Sequence, residues 1–426
     1  PSSTPSAFPT MTATAVSGIV TTLNDSGPGS LRQVASDVTP GSVITFAVTG
    51  TITLGSEIVV SKNLTIAGPG ASNITIDGQH DVRLFSLSSG RSVVISDVTL
   101  ANGHDAQQGG AIFSSANLTL TRVMLTGNDA GGFGGAVYSG GGSLTVDTCV
   151  FTDNLAGNHG GGIRVVGAPT VSILDTTFRG SWGLNGGAFS ASWFETLVVR
   201  GSTFTANHQT LFAEGGTVAI TNSTFEGNFE PDDSAVIGTN AIVTLANVTM
   251  ANNTGRTVLE AIHGSITLKN TILGGGRGCA LAGGTYYSQG HNIISIVDCP
   301  ITPATGDHFG SFAAPVDPGL EALADNGGPT ETVALRSDSL ALGGGGNCSD
   351  ENNVPLSVDQ RGFARPGPGG TELFDRRFRR KFEPPSAHPD SHSYGHSHSK
   401  RIHPDSLRNA NSVLHAHSVF YAERFP

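Results

Sequence analysis

The sequence predicts an all-β fold, a right-handed parallel β-helix over residues 40–345, with roughly ten to twelve coils of about 26 residues each. A Gly-Gly pair recurs along the middle of the chain, at 109–110, 134–135, 161–162 and 186–187. Each unit also holds a short alternating strand, such as Leu118-Thr119-Leu120, and a closing asparagine. The sequence between these features has too little helical periodicity for leucine-rich or helical repeats. A solenoid of stacked strands is therefore expected, and its repeat announces no single functional site.

The asparagine that closes each strand predicts a ladder inside the solenoid. Side-chain amides that stack in register can donate and accept hydrogen bonds between neighbouring coils. Ser181 interrupts the pattern. The predicted ladder consists of Asn102, Asn128, Asn154, Asn207, Asn228 and Asn253.

A short helix over residues 30–38 is expected to cap the N-terminal end. Ser30 is a favourable N-cap residue, and Pro40 stops the helix. Apolar residues follow at helical spacing, namely Leu31, Val34, Ala35 and Val38. An exposed solenoid end would leave apolar surface and strand edges open, so we expect this helix to cover the first coil. An ordinary surface helix is the alternative.

Composition and charge favour an extracellular or cell-surface protein. Charged residues make up only 13% of the chain, Gly accounts for 58 of 426 residues, and the net charge is −11. This negative charge argues against nucleic acid as a partner. No apolar run is long enough to span a membrane, and we expect a monomer. The chain starts at Pro1 without a methionine, so it is either processed or a fragment, with residues 1–15 as a Pro/Ser/Thr-rich leader or linker.

The cysteines predict one local disulfide. Cys279 and Cys299 flank a Gly/Tyr/Ser-rich insertion, and a bond between them would close that loop in an oxidising compartment. Cys149 lies within an apolar strand and is expected to be a small buried side chain.

Two groups of motifs resemble known bacterial families. The repeats Gly-Gly-Ala-Ile at 109–112 and closures such as Phe-Thr-Asp-Asn at 151–154 resemble those of polymorphic outer-membrane proteins and related right-handed β-helix proteins. The segments 24–32 and 323–330, with Asp359-Gln360-Arg361-Gly362, resemble proteins that carry a choice-of-anchor Q domain. This resemblance implies a secreted or surface-displayed β-helix domain over residues 16–375, with an anchor-type region at about 276–375. It implies no established activity, although such sequences are often called pectate-lyase-like.

The character of the chain changes after Asp375. Residues 376–426 are basic and rich in histidine, which predicts a disordered tail. His392, His396 and His398 are typical of metal-binding tracts, but an accidental tail is the preferred interpretation. Back-translated with GC-rich codons and shifted by one base, the tail reads Gly-Ala-Phe-Asp-Gly and then a Thr-Pro run, as in the resembled family. We therefore hypothesise a frameshift just after Asp375.

An enzyme of this fold would need carboxylates and a base on one face. Polysaccharide lyases combine acidic side chains for Ca²⁺ with an arginine or lysine base, and glycosidases need paired carboxylates. Asp105, Asp129 and Asp153 recur at spacings of 24 residues and form a candidate Ca²⁺ row. The other candidates are the bases Arg122, Arg164, Arg179 and Arg200, then His159, and the acidic pair Asp232-Asp233. Turn carboxylates in repeats are more often turn formers than ligands.

Three functions compete at this point. We expect an adhesin or structural binding module for a glycan or cell-envelope partner, using outward rows of Thr, Ser and Asn. The alternative is a polysaccharide lyase or glycoside hydrolase acting along one face, and the third is a passive stalk. Trp182 and Trp193 could stack on sugar rings or be buried in the core. The sequence itself identifies no catalytic residue, and it leans against an enzyme.

Overall fold

The computed structural model describes residues 18–229, 235–255, 257–281, 283–346 and 348–365. Over these residues the chain is a right-handed parallel β-helix of about 11 turns with about 25 residues per turn. This confirms the predicted fold class. Each full coil passes in turn through three long parallel sheets, here called the first, second and third sheets.

The first sheet follows the predicted alternating strands. Its strands pair in parallel, each with the equivalent strand of the next coil. They are Gly18–Val20, Ser42–Phe46, Leu64–Ala67, Ser92–Ser96, Asn117–Thr121, Leu144–Asp147, Thr170–Leu174, Thr196–Arg200, Thr217–Thr221, Ile242–Ala246, Ser265–Lys269 and Thr285–Ser288.

The second sheet follows the first after a short turn and carries the longest inward column of phenylalanines. Its strands are Gly50–Thr53, Ile74–Asp77, Thr99–Ala101, Met124–Thr126, Val150–Thr152, Thr177–Arg179, Thr203–Thr205, Thr224–Glu226, Thr249–Ala251, Ile272–Leu273, Ile293–Ile294 and His308–Phe309.

The third sheet includes the strands that follow the four Gly-Gly turns. Its strands are Ile58–Val60, Phe85–Leu87, Ile112–Ser114, Val137–Gly140, Ile163–Val166, Phe189–Ser192, Leu211–Glu214, Ala235–Thr239, Thr257–Ala261, Cys279–Leu281 and Val297–Asp298. Between the second and third sheets, a small ladder joins His104–Asp105, Asp129–Ala130 and Leu155–Ala156.

The core is a set of stacked side-chain columns. In the second sheet, Phe151, Phe178, Phe204 and Phe225 are fully buried, and adjacent ring centroids lie 4.5 to 5.0 Å apart. Aliphatic residues of all three sheets, together with Phe85 and Phe189 of the third sheet, fill the rest of the interior. Burying one such side chain stabilises the fold by roughly 1.5–3 kcal/mol. The inward positions are therefore fully used by packing, which leaves chemistry to the outward positions.

The strand-closing asparagines form two short ladders. The Asn128 amide donates to Asn154 Oδ1 at 3.0 Å. Farther along, the Asn207 amide donates to Asn228 Oδ1 at 3.0 Å, and Asn228 donates to Asn253 Oδ1 at 2.9 Å. Ser181 separates the two ladders, and its backbone N–H still donates to Asn207 Oδ1 at 3.0 Å.

Asn102 lies one position outside this column, which corrects its inclusion in the ladder. Gly103 takes the equivalent position, and its N–H donates to Asn128 Oδ1 at 2.8 Å. The Asn102 amide binds Asp77 instead, at 3.2 Å. The cause is register, because Leu100 pairs with Leu125, 25 residues later, whereas Asn128 follows Asn102 by 26.

The N-terminal cap is present as a helix at Leu31–Asp37. Ser30 is its N-cap, and the Ser30 hydroxyl accepts the Gln33 backbone N–H at 3.2 Å. Leu31 and Ala35 are buried in the main core, so the helix packs over the end of the solenoid as expected.

The solenoid ends near Phe309, earlier than the predicted limit of 345. The last pairing joins Ile293 to His308, only 15 residues later, which is too short for a coil through all three sheets. An antiparallel hairpin follows, with strands Leu320–Ala324 and Thr332–Leu335. The disulfide between Cys279 and Cys299 lies within the final coils.

The described residues of 330–365, here called the C-terminal strap, then run back along the corner between the first and second sheets. Thr330 Oγ1 donates to the Gly201 carbonyl at 2.7 Å. Arg365 donates to Asn247 Oδ1 at 3.1 Å and to Asn222 Oδ1 at 3.2 Å. The anchor-like motifs of the sequence are thus packed against the solenoid.

Several predictions concern residues outside those that the structure describes. They are the leader at 1–15, the pair Asp232-Asp233, and the tail at 376–426 with its histidines and the proposed frameshift. Within the described part of the chain, no helix is long and apolar enough to span a membrane.

Candidate functional site

The outer face of the third sheet carries a column of side chains unlike the rest of the solenoid. Phe113, Tyr138, Arg164 and Ser190 are successive partners in the parallel register, so their side chains project from neighbouring coils. The Phe113 and Tyr138 rings stack in parallel, with centroids 5.5 Å apart. Strands in register lie about 4.8 Å apart, so this column brings an aromatic pair directly beside a guanidinium.

Arg164 is held by hydroxyl groups. Its Nη1 donates to Ser190 Oγ at 2.7 Å, and its Nη2 donates to Ser192 Oγ at 2.9 Å. Ser192 in turn donates to Glu214 Oε2 at 3.1 Å. The Nε atom of Arg164 is buried and has no hydrogen-bond partner. Within the described residues no carboxylate pairs directly with Arg164, so its charge remains available to an acidic ligand.

Burial affects the titration of this arginine. Desolvation lowers the pKa of Arg164, and the nearby Tyr138 and Glu214 act in the opposite direction. A partly desolvated cation has a stronger attraction for an anion than an exposed one, because water screens it less.

His159 lies on the turn that leads into the Arg164 strand. It bridges in register to Phe133 and Asn185, and its ring stacks on Phe133 with centroids 5.5 Å apart. Its Nδ1 is buried without a hydrogen-bond partner. Burial, and then the positive charge of Arg164, lower the pKa of His159, with Glu214 opposing them. The imidazole is therefore neutral at pH 7 and can accept a proton.

Glycine makes this arrangement possible. Gly160 adopts a φ of +69°, and a Cβ on Gly161 would lie 2.1 Å from the Trp182 carbonyl oxygen. Only a residue without a side chain fits so close to the next coil. The Gly-Gly turn therefore sets the short path from His159 to Arg164.

The other three candidate bases are neutralised by carboxylates. Arg122 pairs with Asp97, with Nε 2.7 Å from Oδ1. The remaining pairs are Arg179 with Glu331, and Arg200 with Glu351 and Asp350. Two of these three arginines bind the C-terminal strap, which gives them a structural role. Arg164 differs from all three in having hydroxyl partners only.

The candidate Ca²⁺ row is not assembled. Asp105 pairs in register with Ala130, and Asp129 pairs with His104 and Leu155. Asp153 follows the second-sheet strand Val150–Thr152, is exposed and has a φ of +53°. The local register advances by 25 or 26 residues per coil, so a spacing of 24 moves each aspartate to a different position. A one-residue shift changes the face to which a strand residue points.

Two of these aspartates have other partners. Asp105 accepts the backbone N–H of Gln107 and Gln108 at 2.9 and 2.7 Å, and it pairs with Arg83 at 2.6 Å. Partial burial raises the pKa of Asp105, but the two backbone hydrogen bonds and Arg83 outweigh it, so the net effect is a lowered pKa. Asp129 binds the His104 ring. Across the described ranges, no group of three or more His, Cys, Asp or Glu side chains is arranged to hold a metal ion.

Sequence reasoning named His159 and Arg164 separately but missed the residues that surround them. Tyr138, Ser190, Ser192 and Glu214 come from three other strands of the third sheet. The available signal was their position in the repeat. Tyr138, Ser190 and Ser192 lie in strands that follow a Gly-Gly pair, and Glu214 lies in the equivalent strand of the next coil. Aligning those strands would have placed Tyr138, Arg164 and Ser190 in one row.

Comparisons with known proteins agree with the fold. The family model described as "Right handed beta helix region" matches residues 50–216. A probable pectate lyase C of Aspergillus flavus is 36% identical over 93 residues, which cover 21% of this chain and 21% of that protein. The corresponding protein of Aspergillus terreus is 28% identical over 151 residues, covering 29% of this chain and 35% of that one. The match therefore spans only a fifth to a third of these relatives.

Solved structures of alginate lyases are also similar. The PL6 family alginate lyase AlyGC aligns with a TM-score of 0.38 and 13% identity, over 82% of this chain and 58% of that one. Alginate lyase AlyF-OU02, solved as a complex with G6, aligns with a TM-score of 0.39 and 11% identity, over 78% of this chain and 93% of that one.

Proposed function

We propose that this protein is a polysaccharide lyase that cleaves an acidic, uronate-containing glycan on the outer face of its third sheet. The observation that carries the proposal is Arg164, a partly buried guanidinium that has no carboxylate partner among the described residues and whose charge helps to lower the pKa of His159. This replaces the adhesin as the preferred function, because the adhesin hypothesis assigned no role to such a site.

The reaction class follows from the ligand that such a site would take. A uronate carboxylate makes the hydrogen on the neighbouring ring carbon weakly acidic. A base removes that hydrogen as a proton, and the electron pair of the broken C–H bond forms a carbon–carbon double bond. The bond from the next carbon to the glycosidic oxygen then breaks, and that oxygen takes a proton. No water is consumed, and one product carries an unsaturated end.

Each group has a role that fits its environment. Arg164 would bind the uronate carboxylate and stabilise the negative charge that develops on it. Neutral His159 would accept the proton from the sugar-ring carbon, because its lowered pKa keeps the imidazole neutral near pH 7. Tyr138, next to Arg164 in register, would donate the proton to the departing oxygen.

The similarity to probable pectate lyases supports this choice of substrate class, because pectate is a uronate polymer. The matched family region, residues 50–216, also contains the whole candidate site. The Cys279–Cys299 disulfide supports an extracellular location, where such polymers occur and thiols oxidise.

A glycan-binding module without catalysis is the second candidate. The outward column of the first sheet contains Thr119, Thr145 and Ser172 in consecutive coils. Such an evenly spaced polar row suits a repeating ligand, as the adhesin hypothesis requires.

The test is a screen of the full chain on polygalacturonate and alginate, with and without Ca²⁺. Ultraviolet absorbance of the unsaturated product and reducing ends would both be followed. The comparison with and without Ca²⁺ tests whether the row Asp105, Asp129 and Asp153 contributes a Ca²⁺ site. We expect cleavage that Arg164→Gln abolishes and the matched control Arg122→Gln leaves intact. Reducing ends without absorbance would indicate hydrolysis, and binding without cleavage would favour the second candidate.

A further inference from the structure

Trp193 occupies an unusual place at the corner between the third and first sheets. It directly follows Ser192, whose hydroxyl binds both Arg164 and Glu214. Its own backbone N–H donates to the Glu214 carbonyl at 3.1 Å. Despite this firmly held backbone, the side chain is 74% exposed to solvent. A large apolar ring therefore stands in water at the edge of the candidate site.

The backbone at this corner favours glycine. The equivalent positions of the adjacent coils are Gly141, Gly167 and Gly215, with φ values of +85°, +69° and +82°. Trp193 adopts a φ of +55° at the same place. A β-carbon in the left-handed region is sterically disfavoured. Neither folding nor packing accounts for an exposed tryptophan where its neighbours use glycine.

The space around the indole is open on both sides. A Cβ on Gly167, in the coil before, would meet nothing within 4 Å, and the same holds for Gly215 in the coil after. The ring is thus accessible to a flat partner, such as the C–H face of a sugar.

The position of Trp193 relative to Arg164 points to the same ligand. Arg164 pairs with Ser190, so Trp193 lies one coil farther and three residues along the strand direction. Three residues at ~3.3 Å and one coil at ~4.8 Å give a separation of ~11 Å, which a short oligosaccharide spans.

We propose that Trp193 is a sugar-stacking subsite of the acidic glycan whose carboxylate binds Arg164. The glycan chain then runs obliquely from Arg164 across the third sheet to the corner at Trp193. Stacking of an apolar sugar face on an indole adds affinity, while Arg164 recognises charge. This inference rests on the proposed function for the identity of the ligand, but it concerns binding rather than cleavage.

Tryptophan fluorescence provides a direct test, because the chain has two tryptophans. In the Trp182→Phe variant Trp193 is the remaining tryptophan. We expect hexasaccharides of galacturonate or guluronate to change its emission, and trisaccharides to do so less. Trp193→Gly should lower hexasaccharide affinity about 10-fold, which corresponds to the upper range of an aromatic stacking contribution. Trp193→Phe should restore part of it.

The controls separate a subsite from a folding defect. Trp193→Gly installs the residue that neighbouring coils use, so its thermal midpoint should equal or exceed that of the wild type. Trp182→Ala should leave affinity unchanged. Wild-type affinity in Trp193→Gly, or no fluorescence response in Trp182→Phe, would overturn the subsite. Trp193-dependent binding with no unsaturated product would keep the subsite and overturn the lyase.

Discussion

The first and third sheets share one backbone architecture but differ in what they present to solvent. The outward column of the first sheet includes Thr119, Thr145 and Ser172, whereas the third sheet presents Tyr138, Arg164 and Ser190 in the same three coils. Both sheets bury aliphatic residues on their inner faces. The difference teaches that the repeat determines the fold through the inward positions, while a few outward residues of one sheet distinguish the candidate site.

The largest expected effect separates the two outward columns. Tyr138→Phe removes the proposed proton donor and should reduce kcat by ~10²-fold or more, as expected for a general acid. Thr119→Ala is the matched change on the first sheet of the same coil, and it should leave kcat unaltered. Steady-state rates of unsaturated product formation check both. Equal losses in the two variants would remove the distinction between the sheets.

The next effect separates inward from outward positions. Phe204 is fully buried between Phe178 and Phe225. Phe204→Ala should lower the free energy of unfolding by about 3–5 kcal/mol through the cavity it leaves. Denaturant unfolding measures this loss. Below the unfolding transition kcat should stay near the wild-type value, and a large fall in kcat there would show that packing and catalysis are coupled.

A smaller effect on the free energy of unfolding is expected at the asparagine ladders, where one substitution should lower it and another should raise it. Asn228→Ala removes the partner of the buried Asn207 N–H and of the Phe204 carbonyl, and it should destabilise the protein by about 1–3 kcal/mol. Ser181 is buried and its hydroxyl has no partner. Ser181→Asn should join the two ladders and raise the free energy of unfolding by about 1 kcal/mol. Destabilisation by Ser181→Asn would mean that the gap accommodates local packing instead.

The smallest effect is a shift in titration. Burial and Arg164 lower the pKa of His159 below its ordinary value of 6.5, and the proposed reaction needs the neutral ring. Activity should therefore rise with pH and reach its plateau with a midpoint below 6.5. In Arg164→Gln the His159 pKa should move upward, because one of its two lowering causes is removed. NMR titration measures the His159 pKa, and the His159 signal is the one missing from the spectrum of His159→Gln. The same His159 pKa in the wild type and in Arg164→Gln would contradict the assigned cause.

The fold was predictable because the core imposes a period on the sequence. Glycine pairs up to residue 187, with alternating strands and asparagines up to residue 253, mark most of the coils, and the structure follows them. The site was less predictable, because it depends on register. The aspartate row looked regular at 24 residues, yet shifts of one and then two residues separate its members. Tyr138 and Arg164, in contrast, meet without sharing any motif.

The end of the solenoid was also mispredicted, for a related reason. The closing motifs at residues 323–330 and 359–362 resemble an anchor-type region, and they were expected to continue or follow the coils. Gln360 instead donates to Thr203 Oγ1 and Thr330 Oγ1, each at 3.0 Å. Polar side-chain contacts of this kind bring together residues more than 150 positions apart, and no local pattern reports them.

The C-terminal strap also changes how the molecule can come apart. A linear stack of coils can open from its free end, one unit at a time, with little cost beyond each interface. Here the strap attaches to coils from His291 back to Arg179, so the last coils cannot separate until those contacts are released. The C-terminal half is consequently expected to unfold as one cooperative block, with slow hydrogen exchange extending to its final coils.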